Sequence, residues 1–319
     1  MFSLIVPVYR NEESIPRLLA AIASIRADID DDFEAVFVID GSPDRSAELL
    51  AQELPDCAFA SRLVLLSRNF GSFAAIRAGL QAAKGEHFAV MAADLQEPPE
   101  LMVQFHRELI TGDVDVVVGT RRSRGDPWLS RMFSALFWSL FRRLVMPQVP
   151  PGGVDVFACN RAFRDELLGM NEARSSLIGQ LYWLGFRRTT LEYDRLPRQE
   201  GRSAWGFRRK LDYLFDSLFA FSDLPIRMLI MLGFILLAIA FVFTILAVAG
   251  RLSGAIEVPG YTATLIVILG FGGLNALGLG IVGVYAWRGY ENSKERALAV
   301  VRVQRNYPGR DPASPEFRT

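Results

Sequence analysis

The chain has 319 residues, enough for one large domain or two ordinary ones. Lysine plus arginine and aspartate plus glutamate both total 35, a balance that excludes the basic footprint of a nucleic-acid binder. Two cysteines (Cys57, Cys159) and two histidines (His87, His106) are too few and too scattered for a zinc site or a disulfide framework.

The first 120 residues alternate short apolar runs with helical patterns. SLIVPVY (3–9) reads as a first strand rather than a leader, because no basic stretch precedes it. SIPRLLAAIASIR (14–26) follows with apolar residues at helical spacing, then the strand EAVFVI (34–39). DGSPD (40–44) predicts a helix with Ser42 as its N-cap and Pro43 in its first turn. Asp40, at the strand end beside Gly41, fits either a turn or a contact to a nucleoside. RLVLLS (62–67), SFAAIRAGLQAA (72–83), HFAVMA (87–92) and VDVVVG (114–119) continue the alternation. Strands alternating with helices predict an α/β fold with a mostly parallel sheet covered on both faces, and ligands outside its strand carboxyl ends. Polar residues follow every run: RNEE, DGSPD, RNFG, DLQEPP and TRRSRGD. Five such ends on one edge outline a site.

DLQEPPE (94–100) is the most informative of them. Asp94 and Gln96 stand two residues apart, so on extended backbone they share a side. That oxygen pair suits Mg²⁺ or Mn²⁺, which take few protein ligands and complete their shells with phosphates and water. A solvated turn is the other reading of the same spacing. Pro98 and Pro99 stop the strand, and Pro99 with Glu100 can open the next helix.

Residues 128–145 and 206–222 carry broad apolar stripes with arginines, so they read as amphipathic helices, either packed on the core or lying at a membrane interface. From Met228 to Gly250 there is no charged residue, and from Thr262 to Trp287 Asn275 is the strongly polar exception. Each run exceeds the roughly 20 residues that cross a bilayer. Arg195 to Arg227 holds seven basic and four acidic residues, as does Arg288 to Thr319, while the connector RLSGAIEVPGY holds one of each. The positive-inside rule places both flanks in the cytoplasm, which fits reduced, inert cysteines. Gly272, Ala276 and Gly280 recur at four-residue spacing, which permits close packing of two copies, as a dimer or tetramer, or of the two spans of one chain. The end, NYPGRDPASPEFRT, reads as disordered. The chain divides into 1–205, a juxtamembrane helix 206–227, two spans 228–287, and a tail 288–319.

In order, VPVYRNEES, DGSPD, RNFGSFAAIRAGL, DLQEPPE, GTRRSRGD, VDVFACNR and RQEGRSAW, with GVYAWRGYENSKERAL after the second span, resemble family 2 glycosyltransferases of the polyprenyl-phosphate type. Members of this type include dolichol-phosphate mannose synthase and the bacterial undecaprenyl-phosphate glucosyl- and aminoarabinosyltransferases. The resemblance covers nearly the whole chain. It implies a GT-A fold at a bacterial inner membrane, a nucleotide-sugar donor with UDP-glucose first among UDP- and GDP-sugars, a divalent cation, and polyprenyl (undecaprenyl) phosphate as acceptor. By position, Pro7, Tyr9, Glu12 and Asp40 would contact the nucleoside, while Asp94 and Gln96 would hold Mg²⁺ or Mn²⁺ on the diphosphate. Arg121, Arg131 and Arg198 match positions near phosphates, and Asp155 matches an acid that serves as base or orients the acceptor. Ala92 departs from the pattern, standing where the family often has an acid; Ile39, Asn11, Ala204 and Ala297 depart as well. Among Arg121, Arg122 and Arg124, at least one is expected to be only a solvated loop residue. Two other readings are an inactive, membrane-anchored binding protein, which Ala92 keeps open, and a processive polysaccharide synthase, which would need a Q-x-x-R-W motif and more spans.

Overall fold

The computed structural model describes residues 1–122, 139, 141–143, 146–150, 153–172, 175–196, 215–253 and 260–310. Eight strands form one sheet: β1 (Phe2–Val8), β2 (Phe33–Ile39), β3 (Ala60–Leu66), β4 (His87–Val90), β5 (Val116–Arg121), β6 (Val156–Asn160), β7 (Arg188–Tyr193) and β8 (Val301–Tyr307). Their order is β7-β5-β6-β4-β1-β2-β3-β8. β1 runs parallel to β2 and β4, and β3 parallel to β2. β6 is antiparallel to both β4 and β5, and β7 is parallel to β5. Six strands therefore point one way and present their carboxyl ends on one edge, as the alternation predicts. The chain leaves β1 toward β2 on one side and later returns beside β1 as β4. That reversal opens the crevice in which doubly wound sheets bind ligands.

The strands read as continuous apolar runs because both sheet faces are covered. α1 (Ile15–Ala27) and α4 (Pro99–Ile110) pack on one face, burying Leu18, Ile22, Met102 and Phe105 against Phe2, Leu4, Val6 and Val8. On the other face α3 (Ser72–Ala82) and α5 (Arg161–Gly169) bury Leu80, Phe163 and Leu167 with Ile5, Val38 and Phe88. Each large side chain so buried contributes about 1.5–3 kcal/mol. α2 (Ser46–Glu53) and α6 (Leu177–Trp183) complete the layers.

Two long apolar helices follow, α7 (Leu224–Leu252) and α8 (Tyr261–Ser293), both of spanning length and composition. A Cβ at Gly278 would touch Leu229 of α7, whereas one at Gly272 or Gly280 would meet nothing within 4 Å among the described residues. Residues 215–221 form a helix just before α7, in the stretch read as amphipathic; residues 206–214 and most of 128–145 lie outside the described residues.

The tail corrects one expectation. Asn306 and Tyr307, the start of the stretch read as disordered, end β8, which pairs antiparallel with β3. Arg310 continues the contact, donating its N–H to the Cys57 carbonyl at 3.0 Å. Polar composition on VRVQRNY hid a strand because an edge strand buries only part of its surface.

Candidate active site

The loops after β1 and β2 are laced together. Arg10 adopts φ 57°, and its backbone N–H donates to Ser42 Oγ at 2.7 Å. Ser42 in turn donates to Asp44 at 2.6 Å, and Asp44 accepts the N–H of Glu12 at 3.1 Å and the Ser46 hydroxyl at 2.8 Å. Burial pushes the Asp44 carboxyl up, but these donors outweigh it and hold it below the usual range. The helix expected from Ser42 starts only at Ser46, because Ser42 serves this cross-link instead of capping. Asp44 went unread in the sequence; its signal was an acid two residues before a serine. Glu12 Oε2 accepts the N–H of Arg45 at 2.9 Å, Tyr9 stands 37% exposed, and Pro7 lies beside Val38 in the sheet register.

Asp40 ties the RNFG loop to the end of β2. It is 3% exposed, and its two carboxylate oxygens accept the N–H groups of Phe70 (2.7 Å) and Gly71 (2.8 Å). The RNFG loop is thus bent over the end of β2. Gly41 (φ 59°) permits this, since a Cβ there would overlap the backbone of Arg68 and Asn69.

Beyond β4 the backbone turns sharply, with Leu95 at φ 53°. That left-handed residue breaks the extended geometry that would have put Asp94 and Gln96 on one side. Gln96 is buried, and its Oε1 accepts a hydrogen bond from Arg195. Leu196 N–H donates to the Gln96 carbonyl at 2.9 Å, so the segment after β7 clasps the turn. Glu97, which the sequence reading passed over, is 3% exposed. Burial, then the charges of Asp94 and Asp155, push its carboxyl up to about 7, against the opposing pull of Arg195 and the Ala92 N–H. Glu97 Oε2 has no hydrogen-bond partner among the described residues.

β5, β6 and β7 build the third wall. Register places Arg121 beside Tyr193, and Asp155 leads into β6 with its N–H on the Gly119 carbonyl. Arg121 donates from Nε and Nη2 to the two Asp155 oxygens, Nη2 to Oδ1 at 2.6 Å, and Tyr193 Oη donates to Oδ2 at 3.1 Å. Burial, with the charges of Asp155 and Glu97, raises the Tyr193 phenol, which stays a donor. Tyr193 and Arg195 carried no sequence signal beyond lying at a strand end. Arg122 sits mostly in solvent, 3.5 Å from Asp194 and 3.7 Å from Glu192. Arg124, Arg131 and Arg198 lie outside the described residues.

Asp94, Glu97 and Asp155 thus converge with Arg121 and Arg195 at the carboxyl edge. Among the described residues no three Asp, Glu, His or Cys side chains are grouped so as to hold a metal ion, and Asp155 is engaged by Arg121 and Tyr193. Asp94 offers a hard carboxylate oxygen of the kind Mg²⁺ or Mn²⁺ takes alongside phosphates and water. Facing guanidinium groups suit phosphate.

A model of glycosyl transferase family 2 matches residues 3–169. The undecaprenyl-phosphate 4-deoxy-4-formamido-L-arabinose transferase of Aeromonas hydrophila is 33% identical over 301 residues, covering 93% of this chain and 91% of that protein. An uncharacterized glycosyltransferase of Synechocystis sp. is 30% identical over 303 residues, 94% of each. Among solved structures, S. aureus TarS 1–349 in complex with UDP-GlcNAc aligns at TM-score 0.43 and 20% identity, covering 64% of this chain and 61% of that one.

Proposed function

The chain belongs to glycosyltransferase family 2, and on that premise we propose that it transfers a sugar from a nucleotide sugar to undecaprenyl phosphate at the cytoplasmic face of a bacterial inner membrane. UDP-glucose is the first donor to try. The observation that carries this reading is the meeting of a carboxylate turn (Asp94, Glu97) with a fixed guanidinium (Arg121 on Asp155) on one sheet edge. Relatives named for undecaprenyl-phosphate sugar transfer, similar over nearly their whole length, support the lipid acceptor. Two apolar helices of spanning length support a site held at a bilayer.

A phosphate monoester has a second pKa of about 6, so the acceptor arrives largely ionised. Its oxygen attacks the anomeric carbon while the bond to the nucleotide diphosphate breaks, and the centre inverts. No proton has to leave the nucleophile. Asp155 is therefore a positioning residue: with Tyr193 it fixes the Arg121 guanidinium, which binds the acceptor phosphate. Asp40 and Asp44 shape the nucleoside floor, bordered by Pro7, Tyr9 and Glu12. Arg131 and Arg198 are assigned to the acceptor phosphate by position in the family pattern. A bound Mg²⁺ or Mn²⁺ would neutralise the departing diphosphate. Asp94 is the carboxylate that would hold it, and Gln96 joins only by releasing Arg195. The four-residue spacing of Gly272, Ala276 and Gly280 on α8 supports self-association as a dimer or tetramer.

The test is a screen of labelled UDP- and GDP-sugars with the purified protein and undecaprenyl phosphate, with and without EDTA. One donor should yield label in the lipid phase, and EDTA should abolish it. Label in no lipid product, whatever the donor, would favour the inactive binding protein; label in a growing polymer would favour the synthase.

A further inference from the structure

The end of α8 grips the helix at 215–221. Arg288 donates from Nη2 to Asp216 Oδ1 at 2.6 Å, with both side chains largely shielded from solvent. Its guanidinium lies 5.5 Å from the centre of the Phe219 ring. Phe219 meets Tyr285 edge-on at 5.5 Å, and Tyr285 Oη donates to the Ser222 carbonyl at 3.3 Å. One residue before Ser222, Phe221 lies against Gly179 of α6 so closely that a Cβ there would overlap its ring. Glu172, which precedes α6, lines a cavity of about 230 Å³ with Phe219, Tyr285 and Arg288. An unbroken set of contacts thus runs from the second apolar helix through the juxtamembrane helix into the sheet domain.

We infer that this junction sets the height and tilt at which the carboxyl edge meets the membrane, with Arg288 as its positioning residue. The inference rests on the proposed lipid acceptor. A phosphate on an isoprenoid chain is confined to the headgroup level, so a domain free to pivot would present Arg121 and Asp94 at the wrong height. Misplacement by about 1 Å can cost on the order of 100-fold in rate. A soluble acceptor comes to the site at any tilt. The junction therefore matters only for an acceptor held in a bilayer.

The experiment uses the full-length protein with undecaprenyl phosphate in vesicles and, separately, with a short water-soluble prenyl phosphate. Arg288→Ala should lower kcat/KM for the vesicle acceptor roughly tenfold, leaving donor KM and transfer to the soluble acceptor unchanged. The swap Arg288→Asp with Asp216→Arg should restore the vesicle kcat/KM. Equal losses on both acceptors, or an unchanged vesicle kcat/KM, would overturn the inference. If the wild type glycosylates neither acceptor, the parent reading fails, and spin labels at Gln104 and Leu279 in a Cys57→Ser background decide the junction. Arg288→Ala should then broaden their distance distribution; an unchanged width overturns the inference.

Discussion

The two edges of the sheet treat buried carboxylates in opposite ways. At the amino edge Glu34 is 5% exposed and fully engaged: it accepts from Ser3 Oγ at 2.7 Å, from the Lys84 N–H, and from Arg62 at 3.3 Å. At the carboxyl edge Glu97 is as deeply buried, yet it stands among Asp94 and Asp155 and leaves Oε2 without a partner among the described residues. Native interiors normally satisfy such groups. A buried acid that is saturated is holding the fold, whereas one raised by burial and like-charge company marks a candidate functional position.

The sharpest way to break this contrast is substitution on both edges. Asp94→Ala should lower kcat on the order of 1000-fold while thermal unfolding stays at the wild-type temperature. Glu34→Ala should do the reverse. It leaves the Arg62 guanidinium buried without its carboxylate, at a cost of about 3 kcal/mol, read by denaturant unfolding, while the folded fraction keeps its turnover.

A pH series on Glu97→Gln sharpens the comparison. Folded Glu97 titrates near 7 against an ordinary value of 4.5, so the native state favours its protonated form. That contribution is complete below the unfolded pKa and is lost as pH rises through the folded one. In EDTA, wild type should lose up to about 3 kcal/mol relative to Glu97→Gln between pH 4.5 and 8. A difference that does not change with pH would place Glu97 in an ordinary hydrogen-bonded environment. The smallest effect is expected at Tyr193→Phe, which removes one hydrogen bond to Asp155 worth about 1 kcal/mol. It should appear as a modest rise in acceptor KM with donor KM unchanged.

Local sequence carried much of this architecture. Apolar runs of strand length separated by 3.6-period segments marked β1 to β5 and α1 to α3, Pro99 marked only the start of α4, and the polar residues after each run marked the edge. What stayed hidden depends on tertiary packing. β8 is an edge strand that reaches β3 only after both long helices have intervened. Ser42 looks like a cap because its competitor, the Arg10 N–H, lies 32 residues away in sequence. Glu97 and Tyr193 become informative only when β5 to β7 close around Asp155. Asp94 and Gln96 share a side only on extended backbone, and the left-handed Leu95 between them cannot be read from spacing.

The most direct test of the carboxyl edge as the donor site is Mn²⁺ binding, followed by electron paramagnetic resonance in the presence of the nucleotide sugar that supports transfer. Wild type and Glu34→Ala should bind the ion together with the donor, and Asp94→Ala should not. Wild-type affinity in folded Asp94→Ala protein would contradict the account.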